Sequence, residues 1–314
     1  MSHPMIELRG LHRYFGATRA VNDITFQVPR GQVFGYIGPN GAGKTTSMRI
    51  LATLDIPTYG DAYVDGFSVV DDPDRVRRRL GFMPDYFGTY SNVNVREYLD
   101  FFARAYGLRG KERLRAMSYV MDFTKLDGLA DKAITGLSKG MKQRLCLGRT
   151  MIHDPAVMVL DEPAAGLDPR ARIQLREMIR QLAADGKTVL ISSHILSELA
   201  EMCDMVAIIE QGRLLAVGSV AEIQRGQASH RSELVEVTLL GDAGPAARWL
   251  EARDDVRDIQ VNVDKLTFLH DGTRQTEADI LRQMVLEGLP VAAFGSRATT
   301  LEDVFMQVTE GLVQ

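Results

Sequence analysis

Gly38-Pro39-Asn40-Gly41-Ala42-Gly43-Lys44-Thr45-Thr46 is a glycine-rich turn between two contrasting segments. Before it, the apolar run Val33 to Ile37 reads as a buried strand; after it, Thr46 to Leu51 has a helical pattern. Strand, glycine-rich turn and helix is the context in which G-x-x-x-x-G-K-[ST] becomes a phosphate-binding device. Successive backbone N–H groups of such a turn make a concave anion nest, and the helix start adds unpaired N–H groups and the positive end of its dipole. Gly41 and Gly43 are expected to let the backbone approach phosphate oxygens. Lys44 supplies a point charge for the β and γ phosphates, and Thr45 a hydroxyl for Mg²⁺.

Further along, Ala156-Val157-Met158-Val159-Leu160 reads as a strand buried on both faces, followed by Asp161-Glu162. Two carboxylates at the carboxyl end of an apolar strand have no packing rationale, and that end is where ligands bind in α/β sheets. Asp161 suits the Mg²⁺ shell and Glu162 the polarising of an attacking water. Lys187 to Ser192 predicts another buried strand, delivering His194 to the same edge as a γ-phosphate contact. Ser138 is an expected N-cap for the helix that follows, a second loop feeding a helix start. Near the N-terminus, two antiparallel strands, Met5 to Leu11 and Ala20 to Val28, are joined through Tyr14-Phe15-Gly16. Phe15 reads either as a turn aromatic or as a face on which a nucleotide base stacks, with Tyr14 as the alternate ring. The Arg75 to Arg79 run reads as a solvated helix face. Asn94 to Tyr106 predicts a helix with Tyr98, Phe101, Phe102 and Ala105 on one face.

At 314 residues the chain exceeds the size of one comfortable core, which predicts two domains. The composition, 45% hydrophobic and 25% charged, is that of an ordinary globular protein. A formal charge of −4 and a pI near 5.9 argue against a nucleic-acid partner held on a basic face. No run approaches 18 apolar residues, so no membrane span is expected, and Met1 to Met5 does not read as a secretory signal. Cys146 and Cys203 read as small buried hydrophobes in a reducing, cytosolic compartment. Beyond about residue 230 the pattern changes to β-α-β-β-α-β with one extra helix, the order of a ferredoxin-like sandwich.

With these stations in order, the first 220 or so residues resemble the ATP-binding subunit of an ABC transporter. Gly38 to Thr46 matches its Walker A loop, Val157 to Glu162 its Walker B strand and catalytic glutamate, and His194 its switch histidine. Leu137-Ser138-Lys139-Gly140-Met141 stands where that family has LSGGQ, and Ala165 to Asp168 where it has the D-loop. The tail ending Thr300 to Phe305 looks like that of exporter ATPases whose permease is a separate chain. The resemblance implies an α/β P-loop NTPase of the ABC ATPase type. Its core would be a mostly parallel sheet, with an antiparallel N-terminal β subdomain and a helical subdomain near 86–152, plus a C-terminal α+β ferredoxin-like domain. It places the ATP-binding domain at 1–224, a linker at 225–231 and the accessory domain at 232–314.

The same resemblance implies ATP and Mg²⁺ as cofactors and catalysis by Glu162, His194 and Lys44. Ser138, Gly140 and Asp168 would act on nucleotide held by a second copy or a paralogous subunit. A permease would grip the region around 85–106, keeping the chain cytoplasmic and peripheral on the inner face of the membrane. Two departures stand out: Asp85 replaces the family's usual glutamine, and the signature has Lys139 for glycine and Met141 for glutamine. Asp85 is either a further Mg²⁺ ligand through water, a repulsive charge that stays outside the shell, or the cap of a turn after Pro84. The competing functions are a soluble ABC ATPase acting on nucleic acid or ribosomes, and a non-catalytic nucleotide-binding regulator.

Overall fold

The computed structural model describes residues 3–86, 88, 92–226, 233–270, 272–297 and 300–309. Packing divides the chain into two units, one running to Val220 and including Thr309, the other from Ala221 to Val308. The first unit opens with a long antiparallel hairpin, β1 (Ile6–Phe15) and β2 (Thr18–Val28). The turn is shorter than the sequence suggests: the ladder continues to Phe15 opposite Thr18, so only Gly16 and Ala17 turn. Tyr14 and Phe15 stay in the strand, where aromatics are favoured.

β3 (Val33–Ile37) is buried throughout and leads through the glycine-rich turn into α1 (Lys44–Leu51). β4 (Tyr59–Val64) and β5 (Phe67–Ser68) extend the first sheet to the order β2-β1-β4-β5. Asp65 and Gly66 link them, both at positive φ (47° and 82°), as a type I′ hairpin requires. α2 (Pro73–Arg79) buries only Val76 and leaves its arginines to solvent, with Arg77 paired to Asp74 at 2.9 Å. β6 (Leu80–Met83) follows.

α3 (Val95–Ala105) starts at a capping box: the Asn94 side chain accepts from the Glu97 amide at 2.8 Å, and Glu97 accepts from the Asn94 amide at 2.9 Å. The face it buries takes in Tyr98 of the four residues read onto one stripe and turns away from Phe101 and Ala105. Val95, Tyr98, Leu99 and Ala103 are buried, whereas Phe101 is 58% exposed and Ala105 faces solvent. α4 (Gly110–Phe123) and α5 (Lys139–Met151) complete the helical part. The Tyr106 ring stacks on His153 with centroids 3.7 Å apart, and His153 Nε2 donates to the Leu80 carbonyl at 3.2 Å. Burial pushes that imidazole down to about 4.

β7 (Val157–Leu160), α6 (Pro169–Ala184), β8 (Thr188–Ser193), α7 (Leu196–Met202), β9 (Met205–Glu210) and β10 (Arg213–Ser219) finish the second sheet. Its order is β10-β9-β3-β8-β7-β6, parallel except for β10. Phe26 of the first sheet stacks on Phe34 of the second at 5.1 Å, within one core that also takes in Tyr36, Met48 and Leu190. Each such ring contributes roughly 1.5–3 kcal/mol by leaving water. Cys146 and Cys203 are buried and free, and burial raises both thiols, Cys146 to about 11. α8 (Val220–Gly226) carries helix over Arg225 and Gly226; the rest of the stretch read as a linker lies outside the described residues.

The second unit contains β11 (Glu233–Leu239), α9 (Gly244–Glu251), β12 (Val256–Asn262), β13 (Lys265–His270), α10 (Arg274–Leu286), β14 (Val291–Arg297) and α11 (Leu301–Val308). Its antiparallel sheet has the order β12-β13-β11-β14, the ferredoxin-like arrangement with an added helix. Val235, Val237, Leu250, Phe268, Ile280 and Met284 fill its core. Among the described residues no helix is long and apolar enough to cross a membrane.

Candidate active site

Four neighbouring parallel strands, β3, β8, β7 and β6, all end at one edge of the second sheet. The chain leaves them through the Gly38–Thr46 turn, His194, Asp161-Glu162 and Asp85 respectively. Sheet order therefore gathers residues that are far apart in sequence.

The turn itself is wedged between two other segments. The Gly212 amide donates to the Ala42 carbonyl at 3.0 Å, and the Asn22 amide donates to the Gly212 carbonyl at 2.8 Å. Gly43 sits at φ +100°, and a Cβ there would collide with the Ala20 carbonyl of β2. Gly41, at φ +81°, has open space where a Cβ would go. Left-handed backbone at both positions, and the neighbouring strand at Gly43, thus each call for glycine here. Lys44 is buried, and its ammonium donates to the carbonyls of Gly38 (2.5 Å) and Pro39 (3.1 Å). Burial lowers its pKa, against the pull of the Glu162 and Asp161 charges.

Asp161 is 1% exposed and accepts from the Ser192 hydroxyl at 2.7 Å and from the Thr45 hydroxyl. Burial raises this carboxyl, the charges of Glu162 and Asp85 push it the same way, and the two hydroxyls oppose them. Ser192 does double service, because its oxygen also accepts from the Glu162 amide at 2.8 Å. That bond holds Glu162 at φ +48°, a left-handed conformation uncommon outside glycine and asparagine. The Glu162 carboxylate meets His194 Nδ1 at 2.7 Å. A carboxylate only accepts, so Nδ1 carries the proton and Nε2 faces away from Glu162. This arrangement can hold a carboxylate base in place while leaving a second imidazole nitrogen for a ligand. Ser192 is the participant that sequence reading passes over; a serine two residues before His194 carries no motif of its own.

Asp85 is exposed at the end of β6, close enough for its charge to act on Asp161. Phe15 is 49% exposed, with the Arg13 guanidinium carbon 4.4 Å from its ring centroid. Tyr14, the alternate ring, is instead occupied by His12, whose Nδ1 lies 2.9 Å from its hydroxyl, and by edge contact with Tyr59. Ser138, Gly140 and Asp168 form a separate cluster. Ser138 caps α5 by accepting from the Met141 amide at 3.3 Å, and Asp168 caps α6 by accepting from the Ala171 amide at 2.9 Å. Among the described residues no hydrogen bond or ion pair joins Ser138 or Gly140 to residues 38–46.

Residues 21–165 match the family model described as "ABC transporter". The "Nod factor export ATP-binding protein I" of Ralstonia nicotianae is 34% identical over 98% of this chain and 94% of its own. The chain belongs to the ATP-binding proteins of ABC transporters. As such it binds nucleotide and hydrolyses ATP. Residues 218–309 match the C-terminal domain of the DrrA1-3-like ATP-binding proteins. The "Probable multidrug ABC transporter ATP-binding protein YbhF" of Escherichia coli is 35% identical over 72% of this chain and 39% of its own. A solved ATP-binding subunit of an ABC transporter has a TM-score of 0.65 at 31% identity, covering 71% of this chain and 93% of that one. A dimeric cassette bound to ADP and Pi shares the fold, with a TM-score of 0.62 at 23% identity over 68% of this chain and 98% of its own.

Proposed function

We propose that this ABC ATPase is the motor of an exporter. It works as a pair, either two copies or this chain with a paralogue, on a separate membrane permease that keeps it peripheral on the cytoplasmic face. Export is carried over from the names of relatives similar along nearly their whole length. The catalytic reading rests on one observation above all, the Glu162–His194 pair at 2.7 Å beside the buried Lys44. Glu162 takes the proton of the attacking water, His194 holds Glu162 through Nδ1–H and, with Nε2 protonated as well, donates from Nε2 to the γ-phosphate, and Lys44 exchanges its two carbonyl partners for phosphate oxygens. Gly38 to Thr46 cradles the phosphates, and Phe15, the more exposed of the two candidate rings, stacks on the base.

Thr45 and Asp161 fit Mg²⁺, which favours hard oxygen donors from one or two side chains together with substrate phosphates. Bound there, the ion would neutralise charge on the phosphates. Ser138, Gly140 and Asp168 of one copy face the nucleotide held by the other, so a two-fold pair makes two equivalent sites from one surface. The permease contacts residues around 85–106, where Phe101 is among the exposed apolar side chains. The ATP-binding domain is assigned to 1–224, a linker to 225–231 and the accessory domain to 232–314.

Glu162→Gln tests the reading. The amide is nearly isosteric and cannot take a proton, so turnover should fall at least a hundredfold while ATP binding survives and the pair accumulates with ATP. Steady-state ATPase activity equal to the parent's would remove Glu162 from the role of base.

A further inference from the structure

Lys139 stands where the family resemblance leads one to expect glycine, and its side chain has a definite destination. A Cβ built on Gly166 would run into Lys139 Nζ, with Cε 3.4 Å and Cδ 3.9 Å away. The tip of the lysine thus lies on the backbone of the 165–168 turn of the same chain. Next to it, a Cβ on Gly140 would stand 3.1 Å from that of Ala171, in the first turn of α6. The first turn of α5 therefore rests against the 165–168 turn at one point and the start of α6 at another. Both ends are otherwise self-contained, each capped by its own side chain, Ser138 and Asp168. Among the described residues no carboxylate pairs with the Lys139 ammonium, so an ion pair does not account for where it lies.

We propose that Lys139 is a positioning residue that ties the start of α5 to the 165–168 turn. The two segments assigned above to the second copy's nucleotide then move as one body. This inference rests on the paired-site reading. Without the tie, Ser138 with Gly140 and the turn ending at Asp168 approach the second copy independently, and correct closure requires two alignments rather than one. A glycine at 139 has no reach and leaves only the Gly140–Ala171 contact.

The test uses the full chain carrying Glu162→Gln, followed by light scattering as ATP is titrated. Adding Lys139→Gly should weaken ATP-driven dimerisation about tenfold, with the melting temperature and the monomer's nucleotide affinity unchanged. Lys139→Arg, which keeps reach and charge, should restore it. In the otherwise wild-type chain, Lys139→Gly should lower kcat and the Hill coefficient and leave KM within twofold. A parent that stays monomeric with ATP overturns the paired-site reading and the tie with it. A parent that dimerises while Lys139→Gly dimerises equally well overturns the tie alone.

Discussion

Removing the Ser192 hydroxyl strips Asp161 of a donor and the Glu162 amide of its acceptor in one substitution. Ser192→Ala should cost about 2 kcal/mol, since a buried carboxylate and a strained backbone each lose a partner. Calorimetry should register a fall of roughly 5 °C for a chain of this size. Its kinetic signature should be a lower kcat with nearly unchanged nucleotide affinity, because Lys44 and the glycine-rich turn keep their own hydrogen bonds. Asp85 makes a second prediction. Its charge already bears on Asp161, so a carboxylate here adds to the repulsion that a triphosphate meets. Asp85→Gln should raise the basal ATPase rate of the isolated subunit and weaken its stimulation by a permease. An unchanged rate with unchanged stimulation leaves Asp85 a turn residue after Pro84. Individual residues were legible where chemistry forbids a packing role, as with Asp161, Glu162 and Lys44. Ser192 and the destination of Lys139 were not, because each acts through a partner that only the fold supplies.

Elements were legible wherever period and capping agree. The Ser138 cap and the buried run of β3 follow from local residue chemistry. α3 shows the limit: Tyr98, Phe101, Phe102 and Ala105 share a face, but which side of that face meets the core follows from the tertiary packing, which buries Tyr98 and leaves Phe101 exposed. Between α3 and α5 the structure adds a contact with no sequence signal, the Tyr106–His153 stack. His153 also yields a pH dependence whose sign follows from burial. Its imidazole is held down to about 4, against 6.5 for an ordinary histidine. Between those values the unfolded chain takes a proton that the folded chain refuses. Stability is therefore fully present above pH 6.5 and is lost as pH falls towards 4, by up to about 3 kcal/mol from this group. His153→Phe keeps a ring against Tyr106 and removes the titration. Its melting temperature should decline less steeply than the parent's over that window, and parallel slopes would count against the assignment.

For the whole molecule, the sequence separates an α/β ATPase pattern from a ferredoxin-like one, and the structure has a mostly parallel six-stranded sheet in the first unit and a four-stranded antiparallel sheet in the second. How the second unit serves the first is not written in local patterns, since its core of Val235, Phe268 and Ile280 speaks only of its own packing. A chain ending at Gln224 should still bind ATP but dimerise less well, or couple less well to a permease. Sedimentation with ATP in the Glu162→Gln background measures the first effect, and unaltered dimerisation and transport would make the tail dispensable for both. The wedged turn at the centre of the site has a consequence for biosynthesis. Its shape depends on Ala20, on Ala42 and on Gly212, which leave the ribosome at very different times. β3 likewise waits for β8 and β9 before it has neighbours on either side. The phosphate turn therefore matures late although it is encoded early, and the ability to retain ATP certifies that nearly the whole first unit has been made and folded. Nascent chains stalled before Gly212 has emerged should not hold the nucleotide, and release a few dozen residues later should confer binding in a single step.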